Sequence, residues 1–169
     1  ARMILVGRSP LPESESPESV LLDAGGLRQW AIKEAKSAGK KITPAEIERS
    51  VQRILRNRQI LGNIDRFRSA GSVVEYHAVD ARSEDSFGKL IDDLYARFGR
   101  IDGVIHGAGV IDDKRIKDKS TESFTSVFST KVDSAQILAD RLRPDSLQFV
   151  VFFSSVSGRF GNAGQADYS

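Results

Sequence analysis

Three side chains carry most of the chemistry this 169-residue sequence could perform: Ser155, Tyr168 and Lys131. Ser155 closes an apolar run, Leu147 to Phe153. Tyr168 follows after a stretch holding three glycines, Gly158, Gly161 and Gly164, which predicts a tight, specially shaped loop. A serine and a tyrosine brought together at a strand end can polarise a carbonyl and pass it a proton. Phenols ordinarily titrate near about 10, so a lone tyrosine is a weak acid-base group at neutral pH and needs a nearby cation. Lys131 is the candidate. It falls on the apolar stripe of a helix, with Phe124, Val127, Phe128, Ala135 and Leu138. A lysine on an inward face is costly without a partner, although it can also snorkel to the rim.

The elements that must position these groups are short strands alternating with helices. Met3 to Val6, closed by Gly7, predicts a strand, and Arg8 to Gly26, with Pro10, Pro12 and Pro17, a loop. Leu27 to Ala38 predicts a helix. A longer one starts at Thr43, where Pro44 and Glu46 complete a capping box, and carries Ile47, Val51, Ile54, Leu55 and Leu61 at helical spacing. Its arginines, 49, 53, 56 and 58, read as a solvated face. Ser72 to Val79 predicts a strand ending at Asp80, and Ser83 caps a helix that Gly99 stops. Ile101 to His106 predicts a buried strand, Ser120 caps a helix to about Leu142, and Leu147 to Phe153 is the last strand. Strands this apolar predict a parallel sheet covered on both faces. Ligands then bind beyond the strands' carboxyl ends, which points to Gly7-Arg8-Ser9, Asp80-Ala81, His106 to Gly109, and Ser154-Ser155. Ser154 is expected to point away from Ser155, because side chains alternate along a strand.

Composition excludes several alternatives. The sequence has no cysteine and only two histidines, His77 and His106, so neither disulfides nor a thiolate or His-rich metal site is expected. Its 25 basic and 23 acidic residues nearly balance, which gives no reason to expect nucleic acid as partner. No apolar run is long enough to span a membrane and no secretory signal is visible, so a cytoplasmic location is expected.

Several segments resemble one family in order and register. Phe153-Ser154-Ser155-Val156-Ser157-Gly158, continuing to Gly164-Gln165-Ala166-Asp167-Tyr168, is similar to the active-site segment of polyketide synthase ketoreductases. Gly103 to Val110 resembles their cofactor-loop strand, and Lys131-Val132-Asp133 their catalytic-lysine helix. The resemblance, which spans about Val79 to Ser169, implies the short-chain dehydrogenase/reductase superfamily and a Rossmann-like, doubly wound parallel α/β sheet. The activity it implies is NADPH-dependent reduction of a β-ketoacyl thioester held on an acyl carrier protein, in a multienzyme with neighbouring synthase domains. Tyr168 would then be the proton donor, Ser155 would bind the carbonyl oxygen, and Lys131 would stabilise the phenolate. The resemblance further implies that Gly7, Arg8 and Ser9 meet the cofactor's 2′-phosphate, where an arginine fork favours NADPH over NAD. Asp80 and Ala81 would lie against the adenine, and His106, Gly107, Ala108 and Gly109 would line the cofactor loop. Asp113, in Ile111-Asp112-Asp113, is similar to the aspartate that accompanies B-type hydroxyl products. Phe160 and Gln165 are expected to border the substrate.

The sequence also departs from that pattern. No Gly-x-Gly-x-x-Gly occurs, and the asparagine expected four residues past the tyrosine is absent. Residues 1–169 therefore read as a single, partial ketoreductase domain, cut inside its fold at both ends, with a helical insertion at 27–70. Two rival readings remain open at this point. One is a short-chain dehydrogenase/reductase acting on a free ketone. The other is an inactive structural half-domain, against which the presence of Ser155, Lys131 and Tyr168 argues.

Overall fold

The computed structural model describes residues 1–12 and 15–168; Glu13 and Ser14 of the first loop, and Ser169, lie outside the described residues. The chain divides into two compact units, one of Ala1–Leu5 with Ser9–His77, the other of Val6–Arg8 with Ala78–Ser169. Strand β1 (Arg2–Gly7) pairs with β2 (Val73–Ala78). The Val73 amide donates to the Ala1 carbonyl and the Val79 amide to that of Gly7, so the register rises together and the two strands run parallel.

In the first unit, helices α1 (Ala24–Ser37) and α2 (Pro44–Ser69) pack on each other around Leu27, Ala31, Ala35, Val51 and Ile64. Local chemistry explains both starts. Thr43 and Glu46 form the predicted capping box, each satisfying the other's backbone amide. Helix α1 begins earlier than its apolar periodicity suggests, because the Asp23 carboxylate accepts from the Gly26 amide and caps it. Arg58 departs from the solvated face expected of it. Its guanidinium grips the Glu15 carboxylate at 2.7 and 2.8 Å and also donates to the carbonyls of Ser19 and Leu22, tying the preceding loop to α2.

In the second unit, β3 (Gly103–His106) and β4 (Phe149–Phe152) pair in parallel, Gly103 opposite Phe149 and His106 opposite Phe152. A π-helical turn, Glu84–Gly88, leads into α3 (Lys89–Phe98), which Gly99 ends in the left-handed region at φ 74°. Helix α4 (Thr121–Arg141) is capped by Ser120, whose hydroxyl accepts from the Ser123 amide. Its C-terminal end is held by Arg141, which pairs with Glu84 and Asp92. Phe87, Leu90, Ile91, Leu94, Tyr95, Val127, Ile137 and Leu138 form the core. Two expectations need correction here. All four β4 residues are exposed, and so is Ile105, so this parallel pair is not covered on both faces among the described residues. On α4 the buried stripe runs through Val127, Thr130, Ser134, Ile137 and Leu138, whereas Phe124 and Phe128 are exposed and stack on each other. The helical period allows either stripe, and small polar residues at 130 and 134 pack closer than two phenylalanines would.

Candidate active site

The level ends of β3 and β4 create the site. Because His106 pairs with Phe152, and the Phe153 amide donates to the His106 carbonyl at 3.2 Å, the segments leaving the two strands emerge side by side. One segment is Gly107-Ala108-Gly109, the other Phe153-Ser154-Ser155. Lys131 reaches them from α4, one turn after the buried Val127, and its ammonium donates to the Phe153 carbonyl at 2.8 Å. Gly109 makes room for it: a Cβ there would sit 3.3 Å from the Lys131 Cε.

A cavity of about 640 Å³ opens at this point, lined by groups that include His106, Lys131, Ser154, Ser155, Gly158 and Tyr168. The structure thus brings together the three side chains singled out for chemistry. Ser154 is also among the residues that line this cavity, in the segment just beyond the end of β4 at Phe152. The Ser155 hydroxyl accepts from the Ser157 amide at 3.2 Å, which fixes its rotamer at the turn.

His106 is buried, stacks at a tilt against Phe152, and shares a 2.6 Å hydrogen bond between its Nε2 and the Ser134 hydroxyl. Ser134 spends its own proton on the Thr130 carbonyl at 2.6 Å. With that proton on Thr130, the Ser134 oxygen is left to accept from the imidazole in its Nε2–H tautomer. Burial holds its pKa below the ordinary 6.5, and the neighbouring Lys131 charge pushes the same way.

The glycine-bearing loop that delivers Tyr168 is laced to residues 112–119. Gly164, at φ 89°, turns its carbonyl toward the Lys114 amide at 3.0 Å, a conformation that disfavours any side chain. Gln165 is buried and both ends of its amide are engaged: Nε2 donates to the Asp113 carboxylate at 3.0 and 3.1 Å, and Oε1 accepts from Ser157 at 2.7 Å. Asp112 accepts from Lys114 and Ser123, and the Lys114 ammonium, then the Ser123 hydroxyl, hold its carboxyl below the usual range. Neither Gln165 nor Asp113 lines the cavity, and Phe160 is 79% exposed and lies outside it too.

The other expected residues stand at strand ends without lining this cavity. Gly7 ends β1 and is followed by the exposed Arg8. Asp80 is gripped by the Arg82 side chain, which lowers its pKa to about 2, with Arg8 adding a smaller attraction. Ala81 follows it, half-buried. In the first unit, the Ser9 carbonyl accepts from the Tyr76 hydroxyl at 2.7 Å. Sequence reasoning missed Ser134, Ser157, Lys119 and Asp167. Each has a buried polar side chain, and its tertiary partner rather than its local sequence reveals it.

Comparison with known proteins agrees with the resemblance. A family model described as "KR domain" matches residues 2–169. The chain is 30% identical over 175 residues to a polyunsaturated fatty acid synthase of Thraustochytrium sp., covering 99% of this chain and 6% of that protein. It is 30% identical to a polyketide synthase of Bacillus subtilis, covering 86% of this chain and 3% of that one. Among solved structures, a ketoreductase domain from the bacillaene assembly line superposes with a TM-score of 0.65 at 26% identity, over 99% of this chain and 29% of that chain. The chain therefore spans a small fraction of the relatives it matches.

Proposed function

The chain belongs to the KR domain family, and from that premise we propose that it serves NADPH-dependent reduction of the β-keto group of an acyl thioester carried on an acyl carrier protein. The observation that carries this reading is the shared cavity lined by Lys131, Ser155 and Tyr168 at the carboxyl ends of two parallel strands. Its volume suits a substrate and a nicotinamide, since ligand sites typically occupy about 300–1,000 Å³. The glycine beside Lys131 keeps the wall open, and Arg8 offers a guanidinium for a 2′-phosphate. When bound, NADPH supplies the hydride that goes to the carbonyl carbon. Ser155 hydrogen-bonds the carbonyl oxygen, and Tyr168 gives that oxygen its proton as charge develops on it. Lys131, anchored through the Phe153 carbonyl, supports the resulting phenolate. The products are a β-hydroxyacyl thioester and NADP⁺. Asp113 accepts from Gln165, a residue of the loop that carries Tyr168, and its likeness to the aspartate that accompanies B-type products is what supports a B-type product here. Residues 1–169 act here as part of one domain, α1 and α2 forming a helical insertion within it.

The test is NADPH consumption by the full-length protein with a β-ketoacyl thioester, comparing wild type with Tyr168→Phe. Wild-type turnover and loss of about a hundredfold or more in the variant are expected, the scale of a lost general acid. Turnover undiminished by the substitution would remove Tyr168 from the mechanism.

A further inference from the structure

Beneath the tyrosine loop lies an ion pair sealed from solvent. The Lys119 ammonium meets the Asp167 carboxylate at 2.6 Å, and the two side chains are only 4% and 2% exposed. The same ammonium donates to the Asp112 carbonyl at 2.8 Å. Burying two charges is expensive, and an apolar pair of similar volume is often as stable or more so. Stability alone is therefore a poor reason for charges at this place.

Their position supplies a better one. Asp167 immediately precedes Tyr168 in the chain. Lys119 immediately precedes Ser120, the N-cap of α4, and α4 carries Lys131. Asp112 immediately precedes Asp113, which Gln165 holds. One ammonium thus joins the residue before the tyrosine, the start of the lysine helix and the 112–113 segment that Gln165 holds. Two charge-assisted bonds of fixed direction can hold these three segments more narrowly than an apolar contact, which tolerates sliding. We propose that Lys119 and Asp167 are positioning residues for proton transfer, setting the Tyr168 hydroxyl against Lys131 and Ser155 without touching the reacting atoms. This inference rests on the reductase reading above. The other titratable groups lining the cavity with Tyr168 are Lys131 and His106, and neither contacts the pair through any hydrogen bond seen among the described residues.

The experiment compares full-length wild type with Asp167→Asn and with the double variant Lys119→Met/Asp167→Leu. The single change strands a buried cation and can unfold the site, whereas the double change leaves no buried charge, methionine matching lysine in size and leucine being larger than aspartate. Assays are run well below each variant's melting midpoint, and NADPH binding is followed by fluorescence. The expected result for the double variant is a loss of kcat between about tenfold and a hundredfold, the cost of a sub-ångström to ångström displacement of a reacting group. The Kd for NADPH stays near wild type, and the solvent deuterium isotope effect on kcat rises as proton transfer becomes slower. A brace that merely maintains the fold would lower the active fraction and leave that isotope effect unchanged. A double variant with wild-type kcat and isotope effect overturns the proposal while leaving the reductase reading intact. Absence of thioester reduction by wild type itself overturns the reductase reading, and this inference with it.

Discussion

Ser134→Ala tests whether His106 is held neutral by one specific acceptor. Ser134 is fully buried, and its single proton goes to the Thr130 carbonyl. Its oxygen is thus left to accept from the His106 Nε2–H, and alanine removes that acceptor. His106 is 6% exposed, so water cannot readily replace it. A buried donor left unsatisfied costs about 1–3 kcal/mol. Alanine's better helix propensity returns at most about 0.5 kcal/mol in α4. A net destabilisation of about 1–2 kcal/mol is expected from chemical denaturation followed by far-UV circular dichroism. The double variant His106→Leu/Ser134→Ala removes donor and acceptor together and is expected to recover most of the loss. The pH dependence follows from the same geometry. The folded-state pKa lies below the ordinary 6.5, so between those two values the unfolded chain binds a proton that the folded one refuses. This group's contribution is complete above about 6.5 and is lost as pH falls toward the folded value, by no more than about 1.4 kcal/mol per pH unit. His106→Leu abolishes that slope. A Ser134→Ala cost below about 0.5 kcal/mol, or a double variant no better than the single, would refute the tautomer and the satisfied-donor argument.

Two further outcomes follow from other parts of the structure. Arg8→Glu should lower the preference for NADPH over NADH by about 10- to 100-fold, the worth of a charge-assisted contact to a phosphate; steady-state kinetics with both cofactors checks it, and an unchanged ratio removes Arg8 from the phosphate site. Arg58→Met discards the grip on Glu15 and the bonds to Ser19 and Leu22, and should cost about 2–3 kcal/mol. Hydrogen exchange at the Val20 and Leu22 amides, which bond within that loop, should quicken first, and unaltered protection there would contradict the role given to Arg58.

What is legible in the sequence is what local chemistry decides. Thr43, Ser83 and Ser120 mark helix starts because a hydroxyl or capping box satisfies amides only a few residues away, and Gly99 marks a stop because it alone turns left-handed at no cost. Apolar periodicity places the start of α1 at Leu27, whereas the helix begins at Ala24: Gly25 and Gly26 speak against a helix by propensity, and the Asp23 cap overrides them. The inward stripe of α4 follows hydrophobicity only in part. Hydrophobicity favours Phe124 and Phe128, yet close packing selects Thr130 and Ser134, whose hydroxyls bond back to the helix and, at Ser134, to His106.

The same division runs through the site. Ser155, Tyr168 and Lys131 can be named from their types, order and surroundings, because a strand end and a helix stripe are short-range patterns. The pieces that hold them in place cannot. Lys119 and Asp167 are 48 residues apart, and each reads alone as an ordinary surface charge. Gln165 reads as a substrate contact, yet its amide is spent between Asp113 and Ser157. A buried polar group must find its partner wherever the fold brings one, so its role follows from tertiary structure and leaves no periodicity behind. Such groups are also where small errors matter most: an apolar contact slides under substitution, whereas a buried charge pair holds its geometry or is lost. Substitutions across Lys119, Asp167 and Gln165 should therefore act on turnover more sharply than equal changes of volume at Val127, Ile137 and Leu138 in the core. That contrast separates positioning from packing in this fold.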